Sequence, residues 1–216
     1  MDYQDLIYQH YPLHLQQHEV NDPMLVLTDF FLSDRLPGHS YKLKKWRDHV
    51  IGENYFIGKH ANPGDLLMIY RDVVRLIEAA FLLNKLGEDF DHVQLDQANF
   101  EESIAAERNE WECHARHLNR KQLASPIRVI RKFCKAYSLN EYREYLHEWL
   151  IFGLSKHACM DLEPFDLITV YENLQILFEA CWLIHQRHSV NGPIRPDHSI
   201  LPAKDNETDF PTNSNP

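Results

Sequence analysis

The sequence predicts an all-α protein: a pseudo-symmetric helical bundle made of two similar units of about four helices each. Three observations carry this. Glycine is scarce, at 7 of 216 residues, which disfavours turn-rich all-β folds. Two long segments, 63–86 and 164–187, have apolar residues on nearly every helical face and so read as buried helices. The chain also resembles itself at a nearly constant offset, the mark of an internal repeat.

Residues 14–52 align with 117–155 at an offset of 103, and 63–86 with 164–187 at an offset of 101. Sixteen of the 63 aligned positions are identical, where composition alone gives roughly four. Pro23 meets Pro126, Phe30 meets Phe133, Trp46 meets Trp149, Tyr70 meets Tyr171 and Glu78 meets Glu179. This internal duplication predicts one unit over 1–90 and a second over 98–188, packed together as one globular domain. Five prolines in the last 28 residues, among Asn, Asp, Ser and Thr, predict a flexible tail over 189–216.

Each element has a local reason. Residues 2–18 and 98–121 are expected as the opening helices, the first with an early stop at Pro12; each brings a His-Leu pair, at 14–15 and 117–118. Asp22-Pro23 and Ser125-Pro126 combine an N-cap residue with a proline at the first helical position. Short helices follow near 23–34 and 126–137. Leu36-Pro37-Gly38 and Ser138-Leu139-Asn140 read as turns, before tryptophan-bearing helices near 39–52 and 140–156. Pro63 and Pro164 open the long helices, with Asp65 and Asp166 in the first turn, where a carboxylate suits the positive end of the helix dipole. These two helices are expected as the central pair. Residues 53–61 and 87–97 are connections.

Composition narrows the function. A formal charge of −10 argues against a general nucleic-acid binder, since phosphate contact needs clustered Lys and Arg. No uninterrupted apolar run reaches about 18 residues, so no membrane span is expected. The N-terminus carries no signal-peptide pattern. Cys113, Cys134, Cys159 and Cys181 form no C-x-x-C pair and read as reduced thiols packed in helices of a cytoplasmic protein. No phosphate-cradling glycine loop or nucleophile motif is present. The 14 histidines are the compositional outlier: protonating all of them would take the charge from −10 to +4, which predicts pH-dependent association.

The residues that both units keep serve what both need, which is folding. Glu78 and Glu179 are the polar exceptions in that shared set. A carboxylate inside an apolar helix must be hydrogen-bonded or paired. The pair is either structural within each half or a polar ligand site across the pseudo-twofold axis. Arg116, Arg120, Lys121, Arg128, Arg131, Lys132 and Lys135 form one basic stretch, with no acid between 116 and 135. Glu110, His114 and His117 would share one face of a continuous helix and form an alternative metal site, although no cofactor is otherwise indicated. Arg108-Asn109-Glu110-Trp111-Glu112-Cys113-His114 resembles the Arg-x4–6-His motif of the HEPN ribonucleases. That resemblance implies a metal-independent ribonuclease or RNA binder, with Arg108 and His114 lining a cleft and His114 in acid–base chemistry. With no assembled catalytic constellation, the favoured reading is a non-enzymatic interaction or scaffold protein. Its expected partner is a protein, a second copy of the chain included.

Overall fold

The computed structural model describes residues 11–52, 62–86, 90, 92–155 and 164–191. Among these the chain is all-α, with no strand. The helices are α1 (Gln17–Asn21), α2 (Met24–Ser33), α3 (Leu36–Ile51), α4 (Pro63–Leu86), α5 (Phe100–Glu110), α6 (Arg120–Ala124), α7 (Ile127–Ala136), α8 (Leu139–Leu154) and α9 (Pro164–Asn191). The bounds of α1, α2 and α3 recur in α6, α7 and α8 at an offset of 103.

Local chemistry explains the recurrence. Asp22 and Ser125, which precede the prolines, share φ −140° and ψ 84°. Pro23 and Pro126 already hold helical backbone angles, so each proline starts a helix without sacrificing a needed donor. Asn119 and Gln122 cap α6 reciprocally, at 3.1 and 2.9 Å. Ser138 and Glu141 do the same for α8, at 3.2 and 2.6 Å. Both are capping boxes, which satisfy amides that a helix start leaves without partners.

Three sequence expectations are corrected. Leu36-Pro37-Gly38 is the first turn of α3 rather than a turn before it. A Cβ at Gly38 would stand 2.2 Å from the Asp34 carboxylate, so a larger residue there would displace that side chain from its ion pair with Lys42 at 2.7 Å. The opening helices are also shorter than expected. Residues 11–16 are irregular, and the helix expected over 98–121 stops at Glu110. In these irregular stretches the amides at 13, 14, 116 and 117 donate to Glu78 and Glu179 rather than to a carbonyl four residues back. Finally, α9 continues to Asn191, past the expected start of the tail; the tail from 192 onward lies outside the described residues, as do residues 1–10 and Cys159.

The two long helices are not each other's main neighbours, against expectation. Instead α4 lies chiefly on α8 and α7, while α9 lies on α3 and α7. Helices of the first series thus cover those of the second, and the reverse. Aromatic contacts fix the seam: Phe30 of α2 meets Phe178 of α9 at 5.3 Å, and Phe133 of α7 meets Phe81 of α4 at 6.4 Å. At the centre, α3 crosses α8 where Trp46 and Trp149 meet edge to face at 5.6 Å. Both are fully buried. Rings of this size remove 150–250 Å² from water, so each contributes roughly 4–6 kcal/mol of gross transfer energy. Gly153 is the close-approach point, since a Cβ there would stand 2.8 Å from Leu66 and 3.3 Å from the Trp46 indole nitrogen.

The segment Asp166–Val190 is long and apolar enough to cross a bilayer by length and hydropathy alone, although it holds no uninterrupted apolar run of that length. Averaged over 18 residues its mean hydropathy is 1.3, yet 67% of that window is buried inside the fold. In this structure it is a core helix.

The two tryptophans differ in one respect. Trp46 Nε1–H donates to the Trp149 carbonyl at 3.1 Å, whereas Trp149 Nε1 is buried with no acceptor among the described residues. Trp46→Phe removes a buried hydrogen bond and Trp149→Phe removes none. Trp46→Phe is therefore expected to destabilise by about 1 kcal/mol more. Urea unfolding of both variants measures the difference, and equal losses would contradict it.

Candidate functional site

Among the buried polar groups, two carboxylate clasps and one ion-pair network stand out. Glu78 of α4 is completely buried. Its carboxylate accepts from the Leu13 amide at 3.0 Å, the His14 amide at 2.8 Å and His14 Nδ1 at 2.9 Å. Glu179 of α9 is 4% exposed. It accepts from the Arg116 amide at 2.9 Å, the His117 amide at 2.8 Å and His117 Nδ1 at 2.7 Å. In both halves two consecutive amides and the next ring nitrogen converge on one carboxylate. Such donor sets hold a buried anion that would otherwise be costly to desolvate.

Each carboxylate is hydrogen-bonded within its own half, and Glu78 is additionally paired across the halves. The alternative, one polar site shared by Glu78 and Glu179, does not form, because separate donors occupy each carboxylate. The halves then differ. Arg143 of α8 reaches Glu78 through Nε at 3.1 Å and through Nη2. Its Nη2 also donates to the Tyr11 carbonyl at 2.7 Å. At the position 103 residues before Arg143 stands Ser40.

A third network ties α5 to α9. Arg187, 2% exposed, forks onto Glu107 with Nε at 2.6 Å and Nη2 at 3.0 Å. Its Nη1 donates to the carbonyls of Val93 and Leu123, at 3.0 and 2.8 Å. His114 Nε2 donates to Glu107 at 3.1 Å, and its ring stacks on Trp111. Burial pushes the Glu107 carboxyl up, but hydrogen bonds from His114 and Arg187 outweigh it and hold the group below the usual carboxylate range.

These contacts locate the sequence candidates. Arg108 and His114 do border one open cleft of about 410 Å³. Arg108 is exposed, whereas the His114 side chain is only 9% exposed and bound to Glu107. The metal alternative fails: α5 ends at Glu110, so Glu110, His114 and His117 share no helix face, and the two histidines serve different carboxylates. Among the described residues no group of three or more His, Cys, Asp or Glu could hold a metal. Of the basic stretch, Arg128, Arg131, Lys132 and Lys135 are exposed along α7. Arg120 pairs with Glu101 at 2.8 Å and lies over the Phe100 ring.

Sequence reasoning missed Arg143, Glu107 and Arg187, which pair across 65 and 80 residues. It also missed His39, which is 6% exposed. His39 stacks on Phe30 at 3.7 Å and donates from Nε2 to the Phe30 carbonyl at 2.7 Å. At the aligned position Tyr142 stacks on Phe133 at 4.1 Å and donates to the Phe133 carbonyl at 3.2 Å. The alignment of His39 with Tyr142 was the available signal. Comparison with known proteins finds no matching family model, no similar curated protein and no similar solved structure.

Burial lowers the His39 and His185 pKa values below 6.5; at His39 the Phe30 carbonyl, Asp34 and Asp72 oppose this, while Lys42 adds to it. The unfolded chain takes up these protons near pH 6.5, before the folded chain does. Stability contributed by the two neutral rings is complete above about pH 6.5 and falls as pH drops toward the lowered folded values. His39→Tyr copies Tyr142 and removes the His39 share. Its melting temperature is expected to change less between pH 7.5 and 5.5 than that of the natural chain. Equal slopes in thermal melts would contradict this.

Proposed function

We propose that the chain is a duplicated helical unit acting as a non-enzymatic interaction protein in the cytoplasm, docking an acidic protein segment on the outer face of α7. The duplication is supported by helix bounds that recur at one offset and by the matched clasps on Glu78 and Glu179. It gives the rest of the surface an internal control, because folding accounts for what the halves share.

The observation that carries the function is what they do not share. Arg128, Arg131, Lys132 and Lys135 stand on α7 where α2 carries Leu25, Thr28, Asp29 and Leu32. Among the described residues, no carboxylate lies within 4.0 Å of these four cations in an ion pair. An unneutralised basic face on a chain of net charge −10 attracts and orients an anionic partner. Four cations on one short helix suit an acidic peptide better than a nucleic acid, because the remaining net negative charge repels an extended phosphate backbone. A ribonuclease centred on Arg108 and His114 has the shared cleft in its favour. The engagement of His114 by Glu107 supports a structural role for that ring.

The test is fluorescence anisotropy with a labelled Glu-rich peptide and a single-stranded RNA of equal charge. Peptide binding is expected to exceed RNA binding and to weaken with salt. Arg131→Glu with Lys132→Glu and Lys135→Glu is expected to lower it by about tenfold or more, roughly 1.4 kcal/mol, with unchanged circular dichroism. Unaltered peptide affinity in the triple variant, or RNA cleavage that His114→Ala abolishes, would overturn the proposal.

A further inference from the structure

Glu78 and Glu179 receive the same three donors, but among the described residues only Glu78 receives a guanidinium. On the Glu179 side the short Ser40 stands in place of Arg143 and lines a cavity of about 230 Å³. Glu179 forms part of its wall, with Leu36, Pro37, Cys113 and His114; Arg116 and His117 also border it. His114 stands 103 residues after Tyr11, whose carbonyl accepts from Arg143 in the other half.

We propose that this cavity is a binding site for a guanidinium group, with the Glu179 carboxylate as its anionic partner. The protein displays the corresponding complex within itself: Arg143 places a planar fork on Glu78 and on a neighbouring carbonyl. A guanidinium matches that geometry better than an ammonium, because its donors are fixed in one plane. Leu36 and Pro37 provide apolar walls for the methylene stem that carries such a group. The volume is several times the roughly 30 Å³ share of a water molecule and below the roughly 300 Å³ at which drug-sized pockets begin. It fits one side chain or a small guanidino compound.

The surrounding charges permit this. His114 is engaged with Glu107 and the Ala115 carbonyl and makes no claim on Glu179. Arg116 reaches Glu179 through its backbone amide, and its residue is exposed, so its charge can turn to water. Arg35, on the nearby turn, pairs with Glu112. Burial pushes the Cys113 thiol up, which keeps it neutral. The inference stands on the matched clasps and is independent of whether α7 docks a partner.

The experiment titrates the full chain with agmatine, and separately with acetyl-Gly-Arg-Gly-amide, following backbone amide shifts by NMR. Saturable shifts at residues 36–40 and 113–117 are expected, with a dissociation constant near about 1 mM. Ser40→Arg should fill the cavity with its own guanidinium, abolish those shifts and raise the melting temperature. Glu179→Gln should weaken binding by about tenfold or more; if it fails to fold, Ser40→Arg alone decides. Peptide binding tighter than agmatine would identify a partner's arginine as the source, and the reverse order a free guanidino compound. Equal binding by the natural chain and Ser40→Arg, or no saturable shift with either probe, would overturn the proposal.

Discussion

A buried carboxylate that takes two consecutive backbone amides organises each half of this protein. Glu78 and Glu179 lie in the middle of the two longest helices. An unsatisfied anion there would cost far more than any single packing contact contributes. The chain at 13–14 and 116–117 must therefore leave helical geometry to supply donors. Both stretches lie in irregular segments, 11–16 and 111–119, that lead into α1 and α6. The clasp is thus a long-range tie, and it fixes the entry of each helical series onto its long helix.

Interleaving of the two series follows from the same layout. With α4 against α8 and α9 against α3, neither series can bury its apolar residues alone. The Trp46–Trp149 crossing and the paired aromatic contacts, Phe30 on Phe178 and Phe133 on Phe81, bind the halves into one core. Within that frame single positions diverge without disturbing it. His39 and Tyr142 hold the same carbonyl by different chemistry. Arg143 and Ser40 leave one carboxylate neutralised by a guanidinium and the other beside a cavity. Differences of this kind leave the shared helical arrangement in place.

Much of the architecture was legible in the sequence because its signals are local or internally repeated. The Asp-Pro and Ser-Pro starts, the long apolar helices and the burial of the two glutamates are each signalled within a few residues, whereas Ser138-Leu139-Asn140, which reads as a turn, is the capped start of α8. What was not legible depends on distant partners. Nothing near Arg116 or His117 shows that their amides turn from helical bonding to a carboxylate, because Glu179 lies more than sixty residues away. Pro37 and Gly38 read as a turn, since their composition does not show that the Asp34 carboxylate occupies the space a side chain would need. The pairing of the long helices was misjudged because an apolar helix specifies burial without specifying its neighbour. The candidate site was legible only as a glutamate pair. Its asymmetry rests on Arg143 and Ser40, which no motif connects to either glutamate.

The equivalence of the two clasps, broken only by what fills the space beside them, is tested most directly by a crystal structure of Ser40→Arg. The expected result is a guanidinium within about 3 Å of the Glu179 carboxylate, forked as Arg143 is on Glu78, with the amides of residues 116 and 117 still donating. An arginine turned out to solvent, with the cavity unchanged beside Glu179, would contradict it.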